Sequence, residues 1–273
     1  MFSRTAVAVK LRHRPLGLYR SDGPAPGARR FVRRTEFRPS IACSMALVAA
    51  AFREGTPCAF STETVHCPSA HGAFGLMPPP WTYPGGAMGH LRLVSCGNRH
   101  YAEGRAAFEE LRAAGASEAR LEQFAEGEGF KRSPELLTEA FGSMPSIPLS
   151  GGHVNIAPLA DLDDPPEVVI FLADPQQISA LVTLAGYSRP GLESARVPLC
   201  SACMSIALFP LAERASPQPR AIIGFTDVYA RMSQRRLVGR GYLTFSMPWE
   251  LYAEMEGNVA GSFLERRVWR GIA

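Results

Sequence analysis

The run VVIFLAD at residues 168–174 is apolar until its last residue. A strand of that kind has no polar face to turn to water, so it must lie inside a sheet covered on both sides. Asp174-Pro175 follows at once, an N-cap residue with proline at the first helical position. Ile178, Leu181, Val182 and Ala185 then share one helical face. Asp174 is read here as a cap rather than a catalytic carboxylate. This strand–Asp-Pro–helix unit predicts an α/β (or α+β) fold, a mixed sheet covered by helices. A chain of 273 residues can bury such a core as a single compact domain, 1–273, with room for two lobes.

Other elements follow from the same periodicities. Residues 5–11 alternate as a strand, and an irregular Pro/Gly/Arg segment runs on to about residue 40. Helix-spaced Met45, Val48, Ala49 and Phe52 end at Gly55. CAFSTE begins as a strand at Cys58 and turns at His66-Cys67-Pro68-Ser69, with a short helix opening near Ala70. Residues 77–100 read as a Pro/Gly-rich loop that carries Trp81 and Tyr83, suited equally to be a lid or site wall or a plain surface excursion. Residues 103–144 are helical in pieces, broken at Gly115, Gly127 and Gly129, with Ser133-Pro134 opening the last piece. Strands are expected at 153–162, 221–227 and 242–248. A helix is expected from about Cys200–Cys203 to Pro210, and a final one carries Trp249, Tyr252, Met255, Val259 and Phe263 on a stripe.

Charge is unevenly placed. Residues 1–40 hold ten Arg/Lys against Asp22 and Glu36, in a chain of net charge +4. Such a start suits a transit peptide, a nucleic-acid arm or a folded strand with solvated basic flanks. Ala6, Val7, Ala8 and Val9 favour the strand. No aromatic-basic interleaving accompanies the arginines, so no nucleic-acid partner is expected. No apolar run approaches the roughly 18 residues of a membrane span, which predicts a soluble, cytoplasmic protein with no membrane partner.

Six cysteines stand without a secretory signal core ahead of them, which favours reduced thiols over a disulfide framework. Cys43, Cys67 and Cys203 each fall at an expected helix start. Cys67 precedes proline, where unpaired amides and the helix dipole favour thiolate. If the three meet, soft thiolates select an iron–sulfur cluster, zinc or copper(I). Cys200, His66 and His71 are further candidate ligands, His71 lying one turn beyond Cys67. Two other readings stand beside this one. The cysteines are buried small residues of a metal-free protein, or Cys200-Ser-Ala-Cys203 is a dithiol redox pair. A closed zinc site of two CxxC pairs is excluded, because there is no second pair. Glu54 and Glu63 have no paired spacing that marks them as acid and base. Neither GxSxG, HExxH nor a phosphate-cradling loop with its lysine is present.

Several blocks carry a resemblance. VAVKL is followed by CSMALVAAAFREG, then by VHCPSAHGAFGL, then by APLADLDDPPEVVIFLADPQQISALV, CMSIALFP and YLTFSMPWEL. In these the chain resembles the uncharacterised ArCR family, domain of unknown function 169, over most of residues 5–260. The family's cysteine positions fall on Cys43, Cys67 and Cys203, with Cys200 an addition. The chain departs in having Ser69-Ala70 where the family turn has two glycines, and in lacking the helix expected before VAVKL. The family brings no activity with it. The resemblance therefore strengthens a shared thiolate site and leaves the reaction open.

The expectations are accordingly a thiolate-ligated metal or iron–sulfur protein serving redox or small-molecule metabolism, using Cys43, Cys67 and Cys203. The alternatives are a metal-free protein that binds a small ligand or assists a biosynthetic pathway, and a CxxC thiol redox protein. A small-molecule ligand is expected in the first two. Whether the chain is an enzyme, and whether it forms a homo-oligomer, are not set by the sequence.

Overall fold

The computed structural model describes residues 1–31, 43–76 and 83–270. The irregular segment beyond residue 31 and the Trp81 part of the loop lie outside the described residues. The chain forms two compact units. One comprises Met1–Arg33, Ala42–Pro78 and Ser146–Ala273, and the other Arg34–Ile41 and Pro79–Pro145.

The first unit is built on a seven-stranded mixed sheet, as the apolar run at 168–174 requires. In chain order its strands are β1 (Leu16–Ser21), β2 (Cys58–Phe60), β3 (His153–Pro158), β4 (Val168–Ala173), β5 (Ala195–Arg196), β6 (Ala221–Gly224) and β7 (Leu243–Pro248). The spatial order is β2-β3-β1-β4-β7-β6-β5. The pairings are antiparallel except for β5 with β6.

The helices of this unit are numbered with those of the second. They are α1 (Arg4–Ala8), α2 (Met45–Glu54), α3 (Pro68–Phe74), α8 (Pro175–Ala185), α9 (Ala202–Ile206), α10 (Leu208–Glu213), α11 (Val228–Val238) and α12 (Trp249–Asn258). β4 sits in the middle with every residue buried. Val169, Phe171 and Ala173 join Phe245 and Met247 in a core shared with α8 and α12. The pleat turns Val168, Ile170 and Leu172 to the opposite face, and α9 and α10 pack against β6 and β7. α8 begins as its sequence requires. Asp174 accepts the Gln177 amide at 2.9 Å, and the Gln177 side chain accepts the Asp174 amide at 2.9 Å.

Two local expectations are corrected. The alternating run near the N-terminus is a helix, α1, with no strand at residues 5–11. Thr5 and Val9 are buried while Val7 is exposed, a spacing of four rather than two. Tertiary partners cap this short helix. Ser3 Oγ accepts the Ala6 amide, and the Glu256 carboxylate accepts the amides of Arg4 and Thr5. The strand lies later, at β1, where Leu16 and Leu18 are fully buried. A Cβ on Gly17 between them would lie 2.5 Å from Leu162.

The second correction concerns residues 77–100. The loop gives way to α4 (Gly86–Val94), whose Gly-Gly start hides the helix from a composition reading. With α5 (Ala102–Ala113), α6 (Glu118–Glu126) and α7 (Pro134–Gly142) it makes the second unit. Its core holds Tyr83, Leu93, Ala107, Leu111, Leu121 and Phe124.

Candidate functional site

β2 and α3 place Cys67. After Phe60 the chain turns at Ser61–Thr64, where the Ser61 amide meets Thr64 Oγ1 at 3.1 Å and the Val65 amide returns to the Ser61 carbonyl at 3.0 Å. Cys67 is the N-cap residue of α3, with Pro68 in its first turn. Phe74 stacks on Phe60 at 4.6 Å between ring centres, fixing α3 against the strand. Gly75 ends the helix in the left-handed region (φ 64°), where a Cβ would also lie 2.9 Å from the Pro148 carbonyl.

Cys43 stands two residues ahead of α2, and Cys203 is the second residue of α9. α3 packs on α9, and α2 on α11. The charge of Cys67 bears on both Cys43 and Cys203, and the charge of Cys43 bears on Cys203.

Burial pushes the Cys43 thiol up to about 11. The amides of Met45 and Ala46 pull it partly back, and Cys67 and Asp227 push it further up. Burial likewise holds Cys203 well above the ordinary thiol range. Cys67, Cys43 and Asp227 add to the rise, and Ser201 Oγ, 3.2 Å from its sulfur, opposes it. At Cys43, then, the nearby amides favour thiolate but lose to burial.

Cys200 is pushed up to about 12, first by burial and then by Asp227. His66 is buried, its ring 5.5 Å from that of Phe31. His71 is buried too, and its Nε2 lies 3.1 Å from the Val65 carbonyl, a local tie that keeps this nitrogen on the backbone. Cys58 is fully buried in β2, and Cys96 is exposed in the second unit.

Two residues of this region were not singled out from the sequence. Asp227 ends the turn after β6. Its Oδ1 accepts the amides of Tyr229 (2.9 Å) and Ala230 (3.2 Å), and its Oδ2 accepts the Ala202 amide at 3.4 Å, next to Cys203. The signal was an aspartate directly before a helix, which reads as a cap and nothing more. Ser44, beside Cys43, is buried, and its hydroxyl has no partner among the described residues.

Among the described residues, no three His, Cys, Asp or Glu side chains are placed to hold a single metal ion. No helix there is long and apolar enough to cross a membrane.

The fold defines an α/β protein, with Cys43, Cys67 and Cys200 partly buried and Cys203 buried in the unit built on its sheet. The family model described as uncharacterised ArCR, domain of unknown function 169, matches residues 6–258, and the chain belongs to that family. No curated protein and no solved structure matches it.

Proposed function

We propose that this is a cytoplasmic protein that holds an iron–sulfur cluster, or another thiophilic metal centre, through Cys43, Cys67 and Cys203. The centre would serve redox or small-molecule metabolism. One observation carries this reading: across three distant segments, the charge of Cys67 bears on Cys43 and Cys203, and that of Cys43 bears on Cys203. Packing thiols together in a buried place raises the cost of ionising any of them. A soft cation removes that cost by taking the place of the protons. The buried Ser44 hydroxyl, left without a partner among the described residues, adds a polar group beside the first cysteine.

Sulfur spacing bears on which centre is meant. A tetrahedral ion with metal–sulfur bonds near 2.3 Å needs its sulfurs within roughly 4 Å of one another. The described residues offer no such closed group. A cluster takes one thiolate at each of several irons and accepts a wider set.

The same finding supports a second reading, a metal-free protein whose neutral, buried thiols line a pocket for a small ligand. The dithiol reading of Cys200 and Cys203 has the raised thiols against it, since the attacking species is the thiolate. Anaerobic purification followed by iron, sulfide and zinc analysis separates the first two. Bound iron and sulfide that are lost on Cys→Ser change at 43, 67 or 203 support the cluster. Protein that is folded and competent without metal rules it out in favour of the pocket.

A further inference from the structure

We propose that the second unit binds a small zwitterion with an apolar body, an amino acid or short peptide, in the pocket between α5 and α6. The site shares no residue with the cysteine region, and it stands whether or not a metal is held there.

The pocket has a volume of about 600 Å³, within the roughly 300–1,000 Å³ usual for small-molecule sites. Each helix gives it one face. Arg105 and Phe108 of α5, and Glu118, Leu121 and Glu122 of α6, stand three or four residues apart along their helices and line it together. Gly104 lets α5 close on the turn before it. A Cβ there would lie 2.3 Å from the Asn98 carbonyl oxygen.

The charged residues of the lining fall into two groups. Arg99 is engaged by Glu126 at 3.0 Å, and Glu109 by Arg112 at 3.1 Å. Arg105, Glu118 and Glu122 make no side-chain hydrogen bond or ion pair among the described residues. A cation on α5 and two carboxylates on α6 thus line one pocket without reaching each other. A ligand of single charge would answer one wall and leave the other sign unmet. A zwitterion answers both, its carboxylate on the Arg105 guanidinium and its ammonium on the two carboxylates. Phe108, Leu121 and Phe124 supply apolar surface for its body.

Asn98 adds an acceptor to the same lining. The residue is 1% exposed, and its Nδ2 donates to the Gly89 and Phe124 carbonyls at 3.0 and 3.3 Å. Those two bonds fix which end of the amide is oxygen. Its Oδ1 is buried and has no hydrogen-bond partner among the described residues. A buried acceptor in that state is a cost to the fold until a donor meets it. An N–H of the ligand is such a donor. The position is also well anchored, because the amides of Asn98 and Arg99 hold the Phe124 and Ala125 carbonyls at 3.1 and 3.0 Å.

The test titrates the full chain with two zwitterions, L-phenylalanine and the dipeptide leucyl-phenylalanine. Phenethylamine and 3-phenylpropionate, which keep the ring but carry one charge each, serve as comparisons. Backbone-amide NMR locates the binding and gives the affinities. The zwitterions are expected to shift amides of α5, α6 and the turn at residues 98–99. The better of them should bind about tenfold or more tightly than either single-charge probe. Arg105→Gln should weaken that zwitterion about tenfold and leave phenethylamine unaffected. Glu118→Gln with Glu122→Gln should weaken phenethylamine and leave 3-phenylpropionate unaffected. All three residues are exposed, so the variants should fold, and circular dichroism melts verify it. Zwitterions that do not bind, that bind no tighter than the single-charge probes, or that shift amides only outside α5 and α6 would overturn the proposal.

Discussion

Gly224 of β6 and Ser205 of α9 approach so closely that a Cβ on the glycine would lie 1.9 Å from the serine hydroxyl oxygen and 2.2 Å from its Cβ. Neither atom has room to retreat, because Ser205 is buried and its hydroxyl donates to the Ala202 carbonyl at 2.7 Å. This contact sets how deep α9 sits on the sheet, and α9 carries Cys203. Gly224→Ala should therefore destabilise the protein by about 1–3 kcal/mol and raise the reactivity of Cys203 toward a thiol reagent. Urea denaturation and mass-spectrometric labelling check both. Adding Ser205→Gly to Gly224→Ala should recover part of the loss, and a double variant no better than the single one would refute the contact as its cause.

The cap of α8 gives a control far from chemistry. Asp174→Ala removes one half of the reciprocal pair with Gln177 and should cost about 1 kcal/mol in chemical denaturation. Metal content and thiol labelling should stay at wild-type levels. A change in either would mean that Asp174 does more than cap.

In metal-free protein, Cys43 makes stability depend on alkaline pH. Its thiol rises from 9.0 unfolded to about 11 folded. The folded chain thus keeps a proton that the unfolded chain releases. The stabilisation is whole below pH 9 and is lost as pH climbs through about 11, by at most about 3 kcal/mol. Denaturation midpoints measured from pH 8 to 11 should fall, and Cys43→Ala should flatten that fall.

His90 in the second unit has the opposite dependence. Burial, then the neighbouring Arg120 guanidinium, lowers it from 6.5 to about 4. It is folded as neutral imidazole, so its contribution is present above pH 6.5 and disappears as pH drops toward 4. Amide hydrogen exchange in α4 and α6 should quicken over that interval. His90→Phe should remove the dependence, and an unchanged profile in that variant would place its cause elsewhere.

What could be read from the sequence was what neighbours within a turn or two decide. α2 runs to a left-handed Gly55, Cys67-Pro68 opens α3, and Asp174-Pro175 opens α8. All are local caps joined to a clear apolar period. α1 escaped because Ala and Val alternate there by composition, while its caps come from Glu256 at the far end of the chain. Pro210 was expected to end the helix after Cys203. The break falls instead at Ala207 (φ −130°, ψ −72°), and Pro210 sits within the first turn of α10, where a missing amide hydrogen costs nothing.

The cysteines were visible as residues, and their helix starts were visible as pattern. How near their side chains come to one another depends on how α2, α3, α9 and α11 pack, which no local signal encodes. Asp227 was passed over because an aspartate directly before a helix reads as a cap.

The interior position of β1 has a consequence for how the molecule is made. Leu16 pairs with Pro158 on one side and with Ile170 on the other. A ribosome therefore releases this strand long before either neighbour exists, and the residues of the whole second unit emerge in between. Until β3 and β4 arrive, Leu16 and Leu18 wait as exposed, adhesive backbone. Such late, distant closure favours slow assembly and makes the nascent chain dependent on protection from its own kind.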